Sequence, residues 1–232
     1  MSIKIDLKIF LFLLLFLITS QLEIYVLLMI LACIHELAHL ITGVILGFKP
    51  EEIRITPMGL QVSFQVKCDE YNKKIGKANV LSLKKCMIAL AGPMINLVIA
   101  FCIMLGIKYH LINGDLVNKS IIVVYANILI ALFNLIPIYP LDGGRIINEI
   151  LHITLGLKKS YQYTHKISKV TIIILTAITS VAILYLQNIA ILLILSYLWF
   201  LVIQENKIYC NRKMIEKYSK QIGKEEKQTI KI

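Results

Sequence analysis

The chain has 232 residues, of which 58% are hydrophobic and only 17% charged, with a formal net charge of +11. Soluble domains average roughly 45–50% apolar and about 25% charged, and a water-soluble fold this short could not hide so much apolar surface. The composition therefore excludes an ordinary soluble domain and points to an all-α polytopic membrane protein.

The basic residues lie between and after the apolar runs, which suits juxtamembrane loops facing anionic lipid and argues against direct nucleic-acid binding. Five cysteines, an odd number without CxxC spacing, argue against a disulfide framework or a cysteine zinc ribbon.

At the start, Ile3, Ile5 and Leu7 alternate with Lys4, Asp6 and Lys8. The apolar run that follows can be read as a signal peptide or as the first limb of a transmembrane hairpin. Ser20–Gln21–Leu22 is a poor cleavage site and a second apolar run begins almost at once, which favours the hairpin. Its limbs are expected over 9–22 and 24–47. After it, Ile53 and Ile55 alternate with Arg54 and Thr56, Pro57–Met58–Gly59 makes a turn, and Leu60, Val62, Phe64 and Val66 alternate with polar residues. Period-two alternation around a turn predicts a small β element at the membrane surface, with an irregular loop as the alternative.

Further spans are expected over 87–107, 121–138, 170–186 and 189–203, making six transmembrane helices. Six spans put both termini on one side, which then carries 23 of the 25 Lys and Arg. The positive-inside rule makes that side the cytoplasm of a multi-pass membrane protein. Residues 1–204 form the expected intramembrane domain and 205–232 a basic cytoplasmic tail, either a surface helix or a solvated segment.

The chemistry is concentrated in His35–Glu36–Leu37–Ala38–His39. Two imidazoles at i and i+4 share a helix face and can bind one Zn²⁺, with Glu36 beside them as general base. Charged side chains inside an apolar run cost about 2.5–3.5 kcal/mol even on a lenient scale, so they usually face a protein interior or a wet cavity. Eight residues separate His39 from Gly47, so the site would lie ~12 Å below the cytoplasmic helix end.

A catalytic zinc takes three protein ligands and keeps a fourth position open. Asp142 in Asn134–Leu135–Ile136–Pro137–Ile138–Tyr139–Pro140–Leu141–Asp142–Gly143–Gly144 is the leading third ligand. Pro137 and Pro140 break a helix there and the glycines let the backbone turn. Glu51, Glu52, Asp115, Glu149 and His152 are weaker rivals. Ala91–Gly92–Pro93–Met94–Ile95–Asn96 is a further motif, weak by itself, in which Gly92 permits close helix approach.

HELAH at 35–39, the Pro–Met–Gly turn at 57–59, AGPMIN at 91–96 and NLIPIYPLDGG at 134–144 occur in the order found in the site-2 protease family of intramembrane zinc metalloproteases, which residues 3–150 resemble. The PIYPLDGGR form is most similar to the branch that processes sporulation-stage-IV pro-sigma factors in endospore-forming bacteria. The resemblance implies zinc ligands His35, His39 and Asp142 and general base Glu36. It places Asn96, Asn134 and Pro137 near the active site, in substrate or oxyanion handling. It further implies a membrane-associated pro-sigma-factor substrate, inhibitory membrane partners, and a location in the mother-cell membrane around the forespore. A helix-borne zinc transporter or sensor is the competing reading. The far side, with only Asp115 and His110, offers it no ligand cluster.

Overall fold

Twenty-four nearly unbroken apolar residues form helix α1 (Leu22–Ile45), with Glu23 in its first turn where the helix dipole favours an anion. The structure, a computed structural model, describes residues 2–5, 17, 22–56, 59–65, 75–186, 195–211 and 214. α1 stops at Gly47, whose φ of 88° lies in the left-handed region that glycine adopts without penalty. There Phe48 N–H donates to the Gly43 carbonyl and Gly47 N–H to that of Val44, the paired bonds of a Schellman cap. The chain leaves that cap directly into a strand.

The sheet has three strands in the order β1 (Ser2–Ile5), β2 (Lys49–Thr56) and β3 (Gly59–Gln65). β2 and β3 form the expected hairpin, pairing Ile53 with Val62 and Ile55 with Leu60, with an irregularity between Pro50 and Glu52. β1 joins in parallel, Ile3 opposite Ile53 and Ile5 opposite Ile55. The turn residues Pro57 and Met58 lie outside the described residues.

Helix α2 (Ile75–Lys108) carries Pro93 in its interior, where the ring removes one backbone donor. α3 (Asp115–Asn134) follows a short connection through Gly114, at φ 64°. α3 ends where Pro137 disfavours helical backbone at the residue before it. Leu135 and Ile136 close its last turn onto the Ala131 and Phe133 carbonyls. α4 (Asp142–Leu155) then starts at Asp142 and ends before Gly156, and α5 (Leu157–Leu186) follows. Residues 195–211 are helical as well.

The chain divides into two units, Met1–Pro137 with Leu141–Tyr161, and Ile138–Pro140 with Gln162–Ile232. In the first, α2 packs against α1, α3 and α4, and β3 lies on α1. In the second, Tyr139 N–H donates to Ser168 Oγ, Trp199 Nε1–H donates to Thr176 Oγ1, and His165 bonds Asn206 while stacking on Tyr209.

Among the described residues three helices, not the expected six, are long and apolar enough to cross a membrane: Leu22–Ile45, Asn79–Lys108 and Asp115–Asn134. The expected run 9–22 lies largely outside the described residues, as do 189–194 of the run 189–203, whose remainder is helical, and 170–186 forms the end of α5. The 87–107 span is longer than expected because its helix continues through Lys84 and Lys85; Lys84 Nζ donates to the Leu46 carbonyl at the end of α1. The 121–138 span begins earlier, at Asp115, and stops at Asn134. Ile41, Val44, Met94, Phe101, Leu129 and Leu132 all point outward, as lipid-facing side chains do.

Candidate metal centre

Besides Tyr25, α1 buries a narrow stripe, Leu31, His35, His39 and Gly43, at successive i+4 positions. The stripe brings both imidazoles of the HExxH segment to the protein interior, each 3% exposed. Asp142 reaches them from the first residue of α4 and is 4% exposed. Gly143 makes that approach possible: a Cβ there would collide with the Leu135 and Ile136 carbonyls, so only glycine lets the chain fold back this tightly.

Asp142 Oδ2 lies 3.0 Å from His35 Nε2 and 3.2 Å from His39 Nε2, and the two Nε2 atoms are 3.1 Å apart. These separations are near the ~3.3 Å edge of a tetrahedron built on bonds of about 2.0–2.1 Å, the zinc–nitrogen and zinc–oxygen range. Two imidazole nitrogens and one carboxylate oxygen are a donor set zinc accepts, and the three residues form a group that could hold a metal ion. The residues therefore fit the ion that the sequence implies.

Burial works against charge on Asp142, yet the hydrogen-bonding imidazoles of His35 and His39, helped by Arg145, outweigh it. They hold the carboxyl well below the ordinary carboxylate range.

Around this trio the groups differ in kind. His39 turns its Nδ1 to the Ile88 carbonyl at 2.6 Å, the backbone anchor that ligating histidines commonly have. Gly92 of α2 faces both Nε2 atoms so closely that a Cβ would overlap them. Arg145 Nη1 is 3.8 Å from the other oxygen of Asp142. Glu36, on the adjoining face of α1, is within electrostatic reach of His35, His39, Asp142 and Arg145.

The remaining expected residues are placed less closely. Asn96 is fully buried one turn beyond Gly92, and neither its Oδ1 nor its Nδ2 has a hydrogen-bond partner. Asn134 spends an amide hydrogen on the Ile130 carbonyl, and Pro137 lies in the segment leading to Asp142. The rivals Glu149 and His152 are engaged elsewhere: His152 Nδ1 lies 2.6 Å from Ser82 Oγ and 3.8 Å from Glu149.

Three features of the site carry little or no signal in the sequence. The Ile88 carbonyl carries no residue-type signal at all. Gly92 read as a packing glycine, although its place in a Gly–Pro pair before a buried amide was a hint. Arg145 offers only its i+3 spacing from Asp142 as a sequence signal.

A family model described as Peptidase family M50 matches residues 23–122 and 110–178. The chain is 27% identical over 185 residues to the zinc metalloprotease MJ0392 of Methanocaldococcus jannaschii, an alignment covering 80% of this chain and 50% of that protein. The chain thus spans about half the length of the curated relative it matches. It also resembles the solved site-2 protease from Methanocaldococcus jannaschii at 26% identity and a TM-score of 0.62, over 88% of this chain and 89% of that one.

Proposed function

This chain belongs to peptidase family M50, and we propose that it is a membrane-embedded zinc endopeptidase that cuts a membrane-associated protein. The observation that carries this reading is the convergence of His35, His39 and Asp142 from helices far apart in sequence, with Glu36 beside them. A zinc ion held by those three would supply Lewis-acid activation of water and of the scissile carbonyl.

In this reading Glu36 takes the proton of the attacking water and returns it to the departing nitrogen. His39, its Nδ1 anchored on the Ile88 carbonyl, would hold such an ion through Nε2. Asn96 is the candidate donor to the developing oxyanion, supported by its buried amide without a partner. Asn134 and Pro137, in the segment that leads to Asp142, are assigned to substrate handling in this reading. A helical peptide has its carbonyls engaged, so the substrate must be extended. β3 is suited to receive it by strand addition, with backbone bonds for affinity and side-chain pockets for selectivity.

The finer reading is a pro-sigma-factor substrate, processed at its N-terminal pro-sequence under the control of inhibitory membrane proteins. It is supported by the PIYPLDGGR sequence at 137–145. The charge bias supports cytoplasmic termini. The test is co-expression with candidate pro-sigma factors, scoring the size shift for the wild type and Glu36→Gln. Cleavage by the wild type alone is expected. A Glu36→Gln protein that still cleaves overturns the general-base role, and zinc uptake into proteoliposomes without proteolysis would favour transport.

A further inference from the structure

We propose that Arg145 is a positioning residue of the metal centre, which holds the second oxygen of Asp142 so that the carboxylate binds zinc through one atom only. The proposal rests on the metalloprotease reading. Asp142 divides its two oxygens between different partners: Oδ2 is within 3.0–3.2 Å of the imidazole nitrogens, whereas Oδ1 faces Arg145 Nη1 at 3.8 Å.

That division has a chemical consequence. A carboxylate with both oxygens free can chelate an ion with both, filling the fourth position that a hydrolytic zinc must keep open for water. A cation engaging Oδ1 disfavours this and leaves Oδ2 as the single donor. The local backbone fixes the spacing, because Arg145 N–H donates to the Leu141 carbonyl at 3.0 Å and closes the first turn of α4. Asp142 and Arg145 are then one helical turn apart on one face.

The pair is asymmetric: the Asp142 side chain is 6% exposed and that of Arg145 43%. An ion pair between two exposed groups contributes little. Here, however, one partner is buried, and its orientation decides the coordination. Arg145 does for Asp142 what the Ile88 carbonyl does for His39, giving the atom that does not ligate a fixed partner. Glu36 also lies within electrostatic reach of the same guanidinium, so one cation serves both carboxylates of the centre. The planar fork of arginine suits this better than the point charge of lysine.

The experiment uses the full chain purified in detergent and stripped of metal, with Arg145→Gln and Arg145→Lys beside the wild type. Zinc affinity is read by competition with a chromophoric chelator, and coordination number by the visible absorption of Co²⁺ bound in place of zinc. Four-coordinate Co²⁺ absorbs much more strongly than five-coordinate, so a carboxylate that swings to two-oxygen binding dims the band. Arg145→Gln is expected to weaken zinc binding about 10–100-fold and to dim the Co²⁺ band. Arg145→Lys is expected to fall between it and the wild type.

Wild-type affinity together with an unchanged Co²⁺ spectrum in Arg145→Gln would overturn the proposal. If Arg145→Gln does not fold, Arg145→Lys decides, and wild-type values in that variant overturn it equally. A wild type that binds no zinc at all would instead defeat the metalloprotease reading, and this proposal with it.

Discussion

Gly92 of α2 stands so close to His39 of α1 that a Cβ in its place would overlap the imidazole Nε2, and that of His35 as well. The residue therefore bounds the candidate metal centre through its missing side chain. Gly92→Ala should weaken zinc binding on the order of 100-fold, comparable to losing an outer partner of a ligand. Ala91→Gly, its neighbour, should bind normally. Zinc-to-protein ratios after dialysis against a weak chelator decide it. A zinc-replete Gly92→Ala protein would mean that the imidazoles can move aside.

Asp142 and Glu149 are acidic residues of the same helix with different surroundings. Asp142 meets two imidazoles, whereas Glu149 lies beside His152, itself bonded to Ser82. Asp142→Ala should lose at least about 100-fold in zinc affinity, since even outer-shell partners cost 10–100-fold. Glu149→Ala should keep its zinc. Equal losses in the two variants would remove Asp142 from the ligand set.

β3 packs on α1 at Gly43, one turn from His39, where the glycine's hydrogen faces the ring of Phe64. Gly43 belongs to the same buried stripe of α1 as His35 and His39. A methyl group there would push the strand away while leaving the ligands alone. Gly43→Ala is expected to retain zinc yet lose up to about 100-fold in turnover, the scale on which a displacement near 1 Å acts. Unaltered turnover of a peptide substrate would separate β3 from catalysis.

Strand addition makes a backbone prediction too. Single proline substitutions from Gln61 to Gln65 remove one N–H each. At positions whose N–H is turned away from β2, turnover should fall with zinc content unchanged. At positions paired to β2, the hairpin itself should weaken. A scan showing no alternation in turnover counts against the docking role.

The helical spacing of His35 and His39, the place of Glu36 beside them and the β2–β3 hairpin were all legible in the chain, because each depends on residues within a few positions of one another. A period of 3.6 or 2 fixes which side chains share a face wherever the element sits. Asp142 was legible as a candidate from its helix-breaking surroundings. Its convergence on His35, 107 positions away, follows from the packing of α4 and α1 against α2. The parallel pairing of β1 with β2 is equally non-local, since alternation marks a strand without naming its partner.

The tertiary structure alone placed Gly92 and the Ile88 carbonyl beside the imidazoles and Arg145 beside Asp142. A glycine shows by its neighbours whether its missing side chain makes room for a helix or for a metal ligand. A backbone carbonyl is identical at every position until the fold aims it. An arginine one turn from an aspartate becomes part of a site only when packing buries that aspartate among imidazoles. Composition and periodicity thus determined a membrane chain with metal-binding chemistry, while the contacts between distant helices selected the atoms that meet.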